Sequence, residues 1–315
     1  MTDLKLGLLI WSQLGTWSEM LDAARRADGL GYDHIWTWDH INAIWGDWDQ
    51  PILEGWSLLS AWAMATQRVR LGLLVGANTF RNPGIQAKCA TTLDHISGGR
   101  AILGVGAAWF DLEHRVHGIE FGSGFGQRLD WMDESVGLMR RLLDGDVVTS
   151  ESGGHYHFDG AHQLPTPVQR RLPIMIGGGG EKKTLRSVAK YADMWNGFGA
   201  ADELRHKDEV LRAHCEAVGR DEREIERSVT CRIAIRDSEA AAQRVWVEQM
   251  VANHVPRENW AEDNPLFGTP EQVAAEIRSC VEVGVSTVIV ETPFPCDVET
   301  MERLIGEVKT MVDAS

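Results

Sequence analysis

Short apolar runs alternate with stretches in which apolar residues recur at helical spacing along most of the chain. Leu4 to Ile10 reads as a buried strand, and beyond the loop Trp11-Ser12-Gln13-Leu14-Gly15 a helical pattern runs from Ser18, its expected N-cap, to Gly29. His34 to Trp38 and Glu54 to Ala65 give a second strand and helix, and Val69 to Val75 and Gly84 to Ile96 a third pair. Gly98-Gly99 follows that helix where a left-handed C-cap is favoured. Arg100 to Val105 is the fourth strand. The helix after it, Leu129 to Leu143, gathers Leu129, Met132, Val136, Met139, Leu142 and Leu143 into one apolar stripe.

The second half repeats the pattern. Pro173 to Ile176 precedes a helix over Thr184 to Ala192, Met194 to Phe198 one over Asp202 to Val218, and Ser228 to Ile235 one over Ser238 to Ala252. A helix over Thr269 to Val283 leads into a last strand, Thr287 to Val290, and Val298 to Val312 closes the chain as a helix. Eight strands alternating with helices predict an α/β fold of the (β/α)8 TIM-barrel type, one domain over residues 1–315, with inserts at Gly106 to Gln127 and Ser150 to Val168. Such inserts commonly serve as lids or subunit contacts. The competing doubly wound sheet expects a glycine-rich dinucleotide turn after its first strand, where this chain has Trp11-Ser12-Gln13. Gly104-Val105-Gly106 lacks the third glycine of that fingerprint, because Trp109 occupies its place.

A length of 315 residues, 43% of them hydrophobic, suffices for one large barrel. The formal net charge of -15 leaves no basic face for nucleic acid. No apolar run is long enough to span a membrane, and the start, Met1-Thr2-Asp3-Leu4-Lys5, leads into a strand instead of a signal sequence, so a cytoplasmic protein is expected. Cys89, Cys215, Cys231, Cys280 and Cys296 are scattered without a C-x-x-C pair and read as free thiols.

In a barrel, working residues cluster where strands end. The second strand runs into Asp39-His40, a titratable pair beside Trp38 and Trp45; a histidine there either exchanges protons near neutral pH or bonds a loop carbonyl. The fifth strand ends in Gly177, Gly178, Gly179 and Gly180 directly before a helix, a backbone able to approach a phosphate closely, with Lys182 and Lys183 adjacent. Gly106, Ala107 and Ala108 after the fourth strand leave room for a flat ring, or for close loop packing. His155-Tyr156-His157 would point two imidazoles to one side of a strand, but it lies among turn residues and reads as a surface hairpin, so no metal site is expected. Metalloprotease, esterase and Walker-loop motifs are absent.

The segment Thr92-Leu93-Asp94-His95-Ile96-Ser97-Gly98-Gly99-Arg100 into Ile102-Leu103-Gly104-Val105-Gly106 resembles the luciferase-like superfamily. The likeness continues through Trp109-Phe110-Asp111-Leu112-Glu113-His114, Gly118, Arg128-Leu129 and Glu134. It resumes at Pro173-Ile174-Met175-Ile176 with the glycine loop and Tyr191-Ala192-Asp193-Met194-Trp195-Asn196, covering most of the chain and looking most like the branch that uses coenzyme F420. The resemblance implies an F420-dependent oxidoreductase that moves a hydride, with His40 as acid/base beside Asp39. It further implies a non-prolyl cis peptide at Leu74-Val75 under the deazaflavin, with Asn78 nearby, Gly106, Ala107 and Ala108 along ring and tail, and the four glycines on the phosphate. Sugar-phosphate-oxidising relatives carry an acidic residue where Trp109 stands, which points away from glucose 6-phosphate. Trp11, Trp38, Trp45, Trp109 and Trp195 suggest a pocket for an apolar or aromatic small molecule, with several of the thirteen tryptophans left for the core. A homodimer is expected. An FMN-dependent monooxygenase of the same fold and a non-catalytic ligand-binding barrel are the alternatives.

Overall fold

The structure, a computed structural model, describes residues 4–150, 152–261 and 265–314, so the first three residues of the strand lead-in lie outside it. Eight parallel strands close into a ring: β1 (Lys5–Ile10), β2 (His34–Thr37), β3 (Arg70–Leu73), β4 (Ala101–Gly106), β5 (Ile174–Gly177), β6 (Met194–Gly197), β7 (Glu226–Ile235) and β8 (Thr287–Thr292). Each pairs with the next, and β8 returns to β1 in a register from Lys5 opposite Thr287 to Ile10 opposite Thr292. This is the TIM barrel that the alternation predicts. A three-residue strand, Leu266–Gly268, adds to the outer part of β7. Among the described residues no helix is long and apolar enough to cross a membrane.

Side chains alternate across each strand, so one residue faces the barrel interior and the next faces the helices. On β1, Leu6, Leu8 and Ile10 join the core between strands and helices, while Leu9 packs inside, as does Trp11 just beyond the strand. Trp36 fills the interior because its neighbours on both sides lack side chains: a Cβ on Gly7 would lie 3.0 Å from its Nε1, and one on Gly72 2.6 Å from its ring. Full burial of an indole is worth on the order of 3 kcal/mol.

Several element ends differ from the sequence reading. The first helix, Trp17–Leu30, is capped by Thr16 in a capping box with Glu19, not by Ser18, because the threonine hydroxyl reaches the Glu19 N–H one residue before Met20, the first buried position. The third strand is interrupted: Arg70–Leu73 is followed by a cis Leu74–Val75 peptide, and Gly76–Ala77 then pairs with β4. The first insert contains its own helix, Asp111–His117, and the helix expected from Leu129 begins at Phe125. His155-Tyr156-His157 lies in turns enclosed by a two-stranded ribbon, Val147–Val148 with Ala161–His162. His155 stacks on Trp131, while Tyr156 is buried and His157 exposed. The final helix is α-helical over Val298–Arg303 and π-helical over Leu304–Lys309.

Candidate active site

The C-terminal ends of the strands surround a cavity of about 460 Å³. One wall is Trp38, Ile44, Trp45 and His40 from the connection after β2, and the opposite wall is Gly106, Ala107, Ala108, Gly177 and Gly178. Leu74 and Val75 lie between them, and Trp109, Phe125 and Phe198 form an exposed aromatic rim.

The small residues on the second wall follow from packing against Val75. A Cβ on Gly106 would approach Val75 Cγ2 to 2.6 Å, and one on Gly177 would approach Val75 Cγ1 to 3.0 Å. Beneath them, a Cβ on Gly104 would sit 1.9 Å from the Leu73 carbonyl oxygen, so the β3 bulge can lie against β4 only with glycine there. The result is a slot walled on this side largely by backbone, which a ligand can approach closely.

Asp39 and His40 point to different duties. Asp39 is fully buried; its oxygens accept from the Arg81 guanidinium at 2.7 and 2.9 Å and from Ala77 N–H at 2.8 Å. Burial is the largest influence on this carboxyl and raises it, against the pull of Arg81. Asp39 therefore ties the end of β2 to the bulge after β3 and holds its neighbour in place. The His40 imidazole lines the cavity, edge-on to Trp38, Trp109 and Phe110.

Other expected residues fall elsewhere. Trp195 is buried against the helices because Asn196, its neighbour on β6, takes the inward position; its Nε1 donates to the Gly178 carbonyl at 2.9 Å. Trp11 lies one layer beneath the cavity, with its ring 4.6 Å from that of Trp38. Asn78 is buried and donates to the Tyr156 hydroxyl, which burial pushes up to about 12. Gly179 and Gly180 continue the loop beyond the cavity wall, where Gly180 packs on Thr184. Lys183 is held by Asp130 and the Gly126 carbonyl, and Lys182 is exposed.

Three charged residues went unassigned in the sequence. Glu113, from the insert helix, contacts His40 Nδ1 at 2.8 Å. Arg232 and Glu291 form a buried pair on the floor, Nε to Oε2 3.2 Å, with the guanidinium also 5.6 Å from the centre of the Trp45 ring. Trp11 Nε1 donates to the same Glu291 oxygen at 3.0 Å. A charged residue within a mostly apolar run is the signal that could have found Arg232, whereas Glu291 falls one residue beyond the run Thr287 to Val290. For Glu113 the signal was less distinct, since helical spacing alone does not aim it at His40.

The fold and this strand-end cavity define a TIM-barrel protein with a pocket at the C-terminal ends of its strands. The sequence model of the luciferase-like monooxygenase family matches residues 6–287, and the chain belongs to that family. It is 30% identical to an F420-dependent glucose-6-phosphate dehydrogenase of Mycolicibacterium fortuitum over 84% of this chain and 79% of that one. The structure of an F420-dependent secondary alcohol dehydrogenase with an F420-acetone adduct superposes with a TM-score of 0.84 at 21% identity, covering 98% of this chain and 99% of the other. A monooxygenase from Streptomyces bottropensis superposes with a TM-score of 0.79 at 22% identity, covering 96% and 98%.

Proposed function

We propose that this chain is a coenzyme F420-dependent oxidoreductase that exchanges a hydride between the deazaflavin C5 and an apolar or aromatic organic substrate, with His40 exchanging the accompanying proton. The observation that carries this reading is the backbone-walled slot of Gly106, Gly177 and Gly178 against Val75, facing His40 across one cavity. Relatives named as F420-dependent dehydrogenases over most of the chain length support the choice of cofactor.

In this reading the slot holds the tricyclic ring, and Ala107, Ala108 and the glycine loop receive the ribityl phosphate tail. Gly179 and Gly180 extend the phosphate contact beyond the cavity wall. Trp38, Trp45 and Trp109 supply the substrate face and exclude water from it. On the floor, the Arg232 guanidinium is already paired with Glu291. A phosphorylated sugar would have to compete for that guanidinium, whereas a neutral apolar molecule needs no such partner. His40 takes a proton from a substrate hydroxyl on oxidation and returns it on reduction, so the chain positions and shields the reacting atoms and moves one proton.

The reading extends to a cytoplasmic homodimer, supported by Met64 and Ile85, 73% and 57% exposed on two neighbouring helices. The family description as monooxygenases favours FMN as a second reading. Equilibrating the purified protein with F420 or FMN, then recording its absorbance spectrum and native mass, tests both. Retention of F420 in preference to FMN is expected, and retention of FMN alone overturns the proposal.

A further inference from the structure

We infer that Glu113 is the positioning residue for His40: its carboxylate fixes the imidazole as the Nδ1–H tautomer and leaves Nε2 as the proton acceptor on the cavity side. This rests on the reading of His40 as the proton-exchanging group, but it makes a separate claim about the protein before any ligand binds.

Glu113 is buried, its side chain 2% exposed, and its oxygens meet three groups from the connection after β2. Oε2 accepts from Ile41 N–H at 2.9 Å and from Asn42 N–H at 3.4 Å. Oε1 lies 2.8 Å from His40 Nδ1. An ionised carboxylate has only acceptor sites, so the hydrogen between Oε1 and Nδ1 belongs to the histidine. In the neutral ring Nε2 is then bare. No other described residue contacts Nε2 within hydrogen-bond distance, and the ring plane is held edge-on by Trp38, Trp109 and Phe110. When Nε2 gains a proton, the imidazolium meets the carboxylate directly, as in an orienting carboxylate–histidine pair.

The placement of Glu113 gives this contact a second consequence. It belongs to the helix Asp111–His117 in the insert after β4, whereas His40 follows β2. Docking of the insert and assembly of the proton acceptor are therefore one event. The insert is anchored independently through His114, whose Nε2 lies 2.6 Å from the Thr79 hydroxyl and whose ring lies 5.0 Å from that of Phe80. Loss of the Glu113 charge should thus disturb the tautomer without releasing the insert.

Nitrogen NMR of the ¹⁵N-histidine-labelled protein without cofactor tests this, with the His40 signals assigned by their loss in His40→Ala. In the wild type, Nδ1 is expected at the protonated position and Nε2 at the unprotonated one. Glu113→Gln, whose amide can donate or accept, should move both signals toward a mixture of tautomers, and Glu113→Asp should restore the wild-type pattern at least in part. A wild-type His40 carrying its proton on Nε2, or an unchanged tautomer in Glu113→Gln, overturns the inference. The wild-type measurement decides even if Glu113→Gln does not fold. An F420 titration of the same samples reports separately on the proposed function, which can fail while the tautomer is as expected.

Discussion

Asp39 keeps its carboxylate buried because Arg81 supplies two short contacts; without the guanidinium only the Ala77 N–H remains. Breaking a buried pair from one side costs about 3 to 5 kcal/mol, since the stranded charge has no water to return to. Arg81→Met should lower the urea unfolding free energy by that amount, and a variant with the wild-type midpoint and slope would show the pair to be dispensable. His40 carries a different expectation. His40→Ala should reduce turnover by about 100- to 10,000-fold, the usual contribution of a positioned proton-transfer group, while F420 affinity stays close to wild type. His157→Ala, on the exposed turn, is the control, and steady-state kinetics with parallel cofactor titration separate the two. The position of His40 at a strand end was readable from the sequence, as were the small residues of the slot. The separate duty of Asp39 was not, because its partner Arg81 comes from 42 positions away and no periodicity encodes their meeting.

The glycine loop shows what an element end contributes. Gly178 has φ +123°, a conformation that side-chain-bearing residues rarely adopt, while a Cβ there would meet nothing closer than 3.5 Å. Gly178→Val should act through backbone strain and displaced N–H groups more than through a clash. We expect F420 affinity to fall about tenfold, roughly 1.4 kcal/mol, by calorimetric titration. Gly219→Val, at the left-handed cap of the helix Ala201–Val218, should strain the backbone comparably without changing affinity. If both variants bind equally well, the loop does not set affinity. All eight strands were legible because apolar runs and helical stripes alternate so regularly. The break at Leu74–Val75 was legible only through family resemblance. Phe125 was missed as a helix start because Gly124, its N-cap, makes no side-chain cap.

Stability of the whole barrel should carry a mark of its floor. His34, the first residue of β2, is buried beside Trp36, and burial holds its pKa at about 3. In the unfolded chain the same ring gains a proton below about pH 6.5. The unfolded state therefore binds more protons between those values, so this contribution is complete above pH 6.5 and is lost as the pH falls toward 3. The slope reaches about 1.4 kcal/mol per pH unit. Guanidinium unfolding at pH 7 and pH 5 should show a difference about 2 kcal/mol smaller in His34→Phe than in wild type. The same difference in both proteins would mean that His34 charges without unfolding.

The closed ring of strands also governs how this chain meets its own kind. A strand with a free side offers unused N–H and C=O groups to any passing extended segment, the usual opening step of ordered aggregation. Here each barrel strand is engaged on both sides, and Leu266–Gly268, paired only with β7, leaves an open border three residues long. Among the described residues, templated growth from the native form would have to start on that short border or on the two-residue strands of the ribbon Val147–Val148 with Ala161–His162. Sheet-like assemblies should therefore arise from partly opened barrels, and a ligand that keeps the ring shut should delay them.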